Sequence, residues 1–380
     1  MQLSLDWTTF LSTYWQKRPT VIRQAFPHFV DPLEPEELAG LAMEEEIDSR
    51  IVSRLPAGWS VEHGPFSDFA SRQESGWTLL VQAVDHWHPE AAALLEPFRV
   101  LPNWRLDDLM ISYSLPDGGV GPHTDQYDVF IIQGMGRRRW RVGERADLKI
   151  CRPHPDLLQV EEFESIIDVE MLPGDILYIP PGFPHDGYAI EPSLNYSVGF
   201  RAPNQRDLFS ALADHLVAED QGNLRYADPH LCVTQNPGAI SVTEREQLVA
   251  LMLRQLQQSN QQHQWLGRAL SQQQHTIDLQ PADPPYEPEN ITESLQQGDS
   301  LCRLGGLKAI YFADEPLHCY LAGEHQQAPA GAESLVELLC NNTRLSFWQL
   351  EEHLDKSNHL EWLTQLINDG YWYFDSDWSE

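Results

Sequence analysis

His123-Thr124-Asp125 and the later phrase Leu172-Pro-Gly-Asp-Ile-Leu-Tyr-Ile-Pro-Pro-Gly-Phe-Pro-His185 decide how this chain folds. Residues i and i+2 of a strand point to one face, so His123 and Asp125 reach a common point. His185 lies far along the chain, and a closed barrel or double sheet brings such distant strands face to face. Two histidines and one carboxylate are the ligand set of a non-haem iron(II) oxygenase, filling one face of an octahedron and leaving the others open. A bare His-x-Asp is common by chance, and each histidine alone reads as a surface or satisfied core residue. The surroundings alter that reading. Gly118-Gly-Val-Gly-Pro122 leads tightly into the first pair. His185 ends a Pro-Gly-Asp turn, an apolar strand at 176–179 and a Pro-Pro-Gly-Phe-Pro turn, each punctuated by the residues turns demand.

Outward from this centre, residues 105–201 read as β. Candidate strands are 108–115, 128–133, 138–142, 166–171, 175–179 and 195–200, and many short strands separated by turn residues suggest a barrel or sandwich. Alternation along Arg137-Arg-Arg-Trp-Arg-Val142 puts Arg138, Trp140 and Val142 on one face and three arginines on the other. The apolar pair marks the inward face, so Arg138 is expected inside, paired with a carboxylate ligand or with an internal Asp or Glu. Ser112 and Ser114 share a face of the strand before the triad, facing either a polar cavity or solvent. Asn195 and Ser197 alternate in the same way and are expected to supply hydrogen bonds around the site. His86 and His88 form a rival pair, but no carboxylate accompanies them in a comparable context, so packing or hydrogen bonding is expected there.

Composition sets the outer limits. The 380 residues imply two or three domains, and 12 Trp with ordinary apolar content allow a sizeable core. No apolar run is long enough for a transmembrane helix, and the N-terminus lacks the basic and apolar regions of a secretory signal. Five scattered cysteines, odd in number and without Cys-x-x-Cys, fit reduced thiols in a cytoplasmic protein. The formal net charge of −32 argues against direct nucleic-acid binding. It serves either solubility or attraction to a basic partner.

The domain organisation follows. Residues 1–204 form a first domain whose barrel core spans about 100–201. Leu33-Glu-Pro-Glu-Glu-Leu reads as a helix start within it. Residues 205–277 are helical, with Leu208, Phe209, Leu212 and Leu216 at helical spacing and a capping box at Thr243–Glu246. A Gln-rich stretch follows at 255–274. These helices are too few to bury their apolar faces alone, which points to a homodimer. Residues 278–295 read as a Pro-rich extended linker. Residues 296–380 then order as strand, strand, three helices and a closing strand. That order suggests an acidic winged-helix-like domain with a protein-contact or structural role.

Together, His123-Thr-Asp125, the Gln133-Gly-Met-Gly-Arg-Arg-Arg-Trp140 hairpin and the 172–185 phrase resemble the JmjC/cupin-type 2-oxoglutarate oxygenases. The stretch at 121–130 and the domain order are similar to the bacterial ribosomal oxygenases. The resemblance implies an α+β chain: a double-stranded β-helix (jelly-roll) barrel, a helical dimerisation segment and a C-terminal winged helix. It implies Fe(II) at His123, Asp125 and His185. It also implies 2-oxoglutarate held by Arg138 with Ser112, or secondarily Ser114. The reaction would consume O2, release succinate and CO2, and place a hydroxyl on an unactivated carbon. Many JmjC relatives use Lys where Arg138 stands, so this chain departs from them but keeps the positive charge. The implied substrate is an arginine of the sixteenth large-subunit ribosomal protein. Asp117, Tyr127 and Asp128, beside the triad, are candidates to receive its guanidinium or are ordinary loop residues. The competing readings are another 2-oxoglutarate oxygenase, such as a lysyl demethylase or small-molecule hydroxylase, and a non-catalytic metal-binding cupin.

Overall fold

The computed structural model describes residues 2–69, 72–259 and 264–378. The N-terminal domain supplies β1 (Thr20–Ile22), β2 (Ser49–Leu55), β3 (Gly58–His63), β4 (Trp77–Val81) and β5 (Leu106–Ser114). It continues with β6 (His123–Thr124), β7 (Asp128–Gln133), β8 (Arg138–Gly143), β9 (Ile150–His154) and β10 (Leu157–Val160). It closes with β11 (Ser165–Met171), β12 (Ile176–Ile179), β13 (Pro184–Ala189) and β14 (Ser193–Phe200). Eight of these form one antiparallel sheet in the order β1-β12-β7-β14-β5-β4-β2-β3. Four form a second, β11-β8-β13-β6. The two sheets make the jelly-roll that the family resemblance implied.

Each strand of the large sheet alternates between two environments, as the pleat requires. On β7, Phe130 and Ile132 join an outer core with Phe10, Phe98, Tyr178 and Phe200, while Val129 and Ile131 pack inward with Trp140, Val142 and Leu177. Aromatic rings of the outer core lie edge to face or tilted, with Phe10 and Tyr178 centroids 4.8 Å apart and Phe98 and Phe130 centroids 5.0 Å apart. Such pairs add about 0.5–1.5 kcal/mol each beyond their buried area. The N-terminal helix Trp7–Thr13 supplies Phe10 to this core, which fastens the chain's start to the back of the barrel.

The six strands expected in the barrel are present, with no end displaced by more than two residues. The first hundred residues hold more β than their pattern suggested: β2, β3 and β4 extend the large sheet beyond β5. The β9–β10 hairpin was also unmarked in the sequence; its exposed Ile150 and Leu158 break the expected alternation.

After the barrel come α1 (Gln205–Ala218), α2 (Val242–Ser259) and α3 (Gln264–Ser271). Residues 260–263 of the Gln-rich stretch lie outside the described residues. The capping box sits two residues earlier than read from sequence. Ser241 Oγ accepts from Glu244 N at 3.2 Å, and Glu244 Oε2 accepts from Ser241 N at 2.6 Å. Serine wins because its short hydroxyl reaches the free N–H of the third helical residue, Glu244. The proline-rich segment is not extended throughout. A helix, α4 (Pro288–Gln297), begins at Pro288, where a proline at the first helical position costs nothing. The C-terminal unit has two three-stranded sheets. β15 (Leu301–Arg303) lies between β19 (Arg344–Leu345) and β20 (Trp372–Phe374), and β17 (Glu315–Leu321) between β16 (Ala309–Phe312) and β18 (Glu324–Gln327). Its helices are α5 (Glu333–Asn341), α6 (Phe347–Leu354) and α7 (Ser357–Asn368), closed by the expected final strand.

Candidate metal centre

Sheet register builds the centre. In the β6–β13 pair His123 stands directly opposite His185. Asp125 follows β6 by one residue, in the turn rather than on the strand. One ligand atom from each of His123, Asp125 and His185 lies within 4.8 Å of the other two. Asp125 Oδ2 is 3.5 Å from His185 Nε2 and 3.8 Å from His123 Nε2. The far nitrogens are already engaged: His123 Nδ1 lies 2.9 Å from the Gly121 carbonyl and His185 Nδ1 3.1 Å from that of Phe183. Each carbonyl takes the Nδ1 proton, leaving Nε2 with a lone pair aimed at the shared space. Burial and the neighbouring His185 hold the His123 imidazole below its usual range. Burial alone would raise the Asp125 carboxyl, but His123 and His185 outweigh it and pull it down to about 2. Burial alone would lower the His185 imidazole, but the Asp125 carboxylate raises it above its usual range, and an ionised carboxylate between two imidazoles suits a divalent metal.

The centre lines a cavity of about 310 Å³ between the sheets. Arg138 enters from β8 and is 4% exposed. Its Nη1 donates to Ser112 Oγ at 3.1 Å and to Asn195 Oδ1 at 2.9 Å. Asn195 is itself held by Gln133, whose Oε1 accepts from Asn195 Nδ2 at 3.0 Å. Arg138 Nε is buried and has no hydrogen-bond partner among the described residues. No carboxylate pairs with this guanidinium among the described residues. Burial lowers its pKa to about 10, so it remains charged near neutrality. A fixed, charged fork with an unsatisfied donor fits a carboxylate ligand.

The three neighbouring arginines point the other way, as alternation required. Arg137 pairs with Glu191 at 3.1 Å, Arg139 with Asp168 at 2.7 Å and Arg141 with Asp186 at 2.8 Å. Ser112 is in the cavity wall, and so is Ser197. Ser114 is not: it is fully buried against Thr78, with the two hydroxyls 2.5 Å apart. The rival histidines do structural work. His86 Nδ1 meets the Thr276 carbonyl at 2.7 Å, and His88 Nδ1 accepts from Ala91 N at 3.2 Å.

The three candidates for a substrate guanidinium separate. Tyr127 lines the cavity and hydrogen-bonds Asp125. Asp117 occupies a left-handed turn with φ 65°, beside a different groove. Asp128 points to the outer core, on the same face of β7 as Phe130. It is 1% exposed, accepting from Tyr178 Oη at 2.6 Å and pairing with Arg105 at 3.1 Å. Neither aspartate reaches the cavity, because sequence adjacency to the triad does not survive strand alternation.

Asp108 does reach the cavity. On β5, Asp108, Met110 and Ser112 share the inward face and all line the cavity. Asp108 Oδ2 accepts from Ala83 N at 2.9 Å. Burial, reinforced by the nearby Asp85 carboxylate, pushes its pKa up to about 7. The signal was present in sequence: the alternation that aligned Ser112 and Ser114 runs back two steps to Asp108.

With this geometry in place, comparison with known proteins is informative. A profile for the JmjC domain matches residues 93–208, and one for a ROXA-like winged helix matches residues 254–373. The ribosomal protein uL16 3-hydroxylase of Escherichia coli is 50% identical over 374 residues, covering 98% of this chain and 99% of that protein. A probable ribosomal oxygenase of Haemophilus influenzae is 32% identical, covering 83% of this chain and 80% of its own length. The solved structure of an E. coli ribosomal oxygenase in complex with cobalt and 2-oxoglutarate superposes with a TM-score of 0.90 at 48% identity, covering 98% of this chain and 99% of that one. Both domains match in order and the likeness runs nearly end to end, so the chain belongs to the JmjC-domain ribosomal oxygenases.

Proposed function

We propose that this protein is an Fe(II)- and 2-oxoglutarate-dependent oxygenase that hydroxylates an arginine side chain of the basic large-subunit ribosomal protein uL16. The observation that carries the reading is one cavity with three parts: a His-Asp-His cluster, an unpaired buried arginine and a carboxylate. The relative named for the same ribosomal protein supports the substrate.

His123, Asp125 and His185 would hold the metal through Nε2, a carboxylate oxygen and Nε2. When bound, iron with 2-oxoglutarate and O2 supplies the oxidising power to hydroxylate an unactivated carbon, releasing succinate and CO2. Everything else is positioning by the chain. Arg138, held by Ser112 and Asn195, fixes the far carboxylate of the cosubstrate. Asp108 receives the substrate guanidinium, with Tyr127 and Met110 as walls along its stem. A guanidinium arriving beside Asp108 favours the ionised carboxylate that burial alone disfavours, so substrate charge and pocket charge neutralise together. Trp140 lines the inward side of the cavity.

A homodimer is part of the same proposal. Among the described residues, α1 buries only Leu212 and α2 only Ser259. Phe209, Val217, Val249, Met252 and Leu253 are more than half exposed. A second copy laid on these faces would cover them. The proposed substrate sets the reaction in the cytoplasm. No helix among the described residues is long and apolar enough to cross a membrane.

The deciding experiment is mass spectrometry of purified uL16 after incubation with the protein, Fe(II) and 2-oxoglutarate, beside an Asp125→Ala control. One added oxygen on an arginine, absent from the control, is the expected result. Cosubstrate turnover without a mass change would move the substrate elsewhere. No turnover at all would favour a non-catalytic cupin.

A further inference from the structure

A second cavity, of about 460 Å³, lies on the other side of β5, between the barrel and the winged helix. Asp107 faces it while its neighbour Asp108 faces the metal cavity. In a chain with 57 acidic and 25 basic residues, this cleft gathers Arg99, Arg303, Lys308 and Arg344 in its walls. Three of the four have carboxylate partners. Arg99 pairs with Glu96 at 2.8 Å, Lys308 with Asp107 at 3.5 Å, and Arg344 with Asp375.

Arg303 does not. It is 7% exposed, makes no ion pair among the described residues, and donates one hydrogen bond, from Nη1 to the Cys340 carbonyl at 3.1 Å. Burial and the adjacent Arg99 push its pKa down, and Glu96 in the same wall, already paired with Arg99, offsets them only in part. A buried guanidinium without a counter-charge is costly, and proteins normally pair or neutralise it. The bland explanation is that Arg303 caps the end of α5. That carbonyl, however, is already served by Asn103 Nδ2 at 2.9 Å. The cap does not require a charge, and the rest of the fork remains for the cleft.

We propose that this cleft binds a small oxyanion, a carboxylate or a phosphate, with Arg303 as its anchor and Arg99 opposite. Arg303 belongs to the winged helix and Arg99 to the barrel, so the anion would bridge the two domains. The site differs from the cosubstrate pocket, whose cation is Arg138 on the other side of β5.

The test is isothermal titration of the full-length protein at constant ionic strength, with chloride as the balancing ion. Inorganic phosphate and malonate are used as separate probes, and an Arg138→Gln background removes malonate binding at the cosubstrate pocket. Saturable binding is expected for at least one probe, and which one binds identifies the source of the oxyanion. Arg303→Met should weaken it by about tenfold or more, the loss of a charge-assisted fork. Arg99→Met should weaken it as well; because Arg99 Nη1 also holds Asn103, which serves the α5 carbonyl, an unchanged Tm of both variants guards against a local folding defect. No saturable binding of either probe to the parent, or equal binding to both variants, would overturn the proposal.

Discussion

Arg138 and Asp108 are both buried charges in one cavity, yet they respond oppositely to their surroundings. Arg138 stays charged and Asp108 sits near its midpoint at neutral pH. Replacing Arg138 by Gln removes the cation that is hydrogen-bonded to Ser112 and Asn195 in the cavity wall. The KM for 2-oxoglutarate should rise roughly 100-fold, corresponding to about 3 kcal/mol for a lost charge-assisted pair. Succinate-release kinetics would measure it. An unchanged KM would move the cosubstrate carboxylate elsewhere. For Asp108, raising the pH through about 7 ionises the group in the free enzyme, so KM for an arginine peptide should fall over that interval. Asp108→Asn should raise that KM and flatten its pH dependence. Stability should move the other way. A carboxyl whose folded pKa is raised loses stability as pH rises through that value. The Asn variant should therefore gain Tm relative to the parent at pH 8, with little gain at pH 5. Thermal melts at the two pH values decide this.

At the level of elements, what was legible tracked alternation. Arg138 could be aimed inward from sequence because Trp140 and Val142 declare the face of β8. Ser112 was found for the same reason on β5. Asp128 failed because its place beside the triad suggested proximity, while its parity on β7 matches Phe130. β2 to β4 escaped notice because Ile51-Val52 and Leu79-Leu80-Val81 run apolar without the alternation that marks a strand, and α4 was hidden by the prolines around it. The metal ligands were legible because turns on both sides fix them. The helical segment makes its own prediction. Met252 is 70% exposed on α2, which buries almost none of itself. Met252→Asp should shift the protein from dimer to monomer in analytical ultracentrifugation. A parent protein already monomeric would remove the proposed role of these helices.

For the whole molecule, charge is the dominant property. A chain with a formal net charge of −32 and a strongly basic substrate attract over distances that salt shortens. kcat/KM toward uL16 should fall by about tenfold between low and physiological salt, while turnover of a short neutralised arginine peptide changes little. Equal salt dependence for both substrates would confine electrostatics to the cavity. The pairing of His123 with His185 also reaches back to the making of the protein. A chain emerges from the ribosome N-terminus first, so two ligands are exposed while the third is still unmade. β12 must return to pair with β7, and β13 must close against both β6 and β8, before the imidazoles meet. Nonlocal strand pairing is slow because the connecting chain must be ordered first. A stalled nascent chain ending before residue 185 would hold two of the three ligands, so metal acquisition waits for the second half of synthesis and cannot guide its beginning.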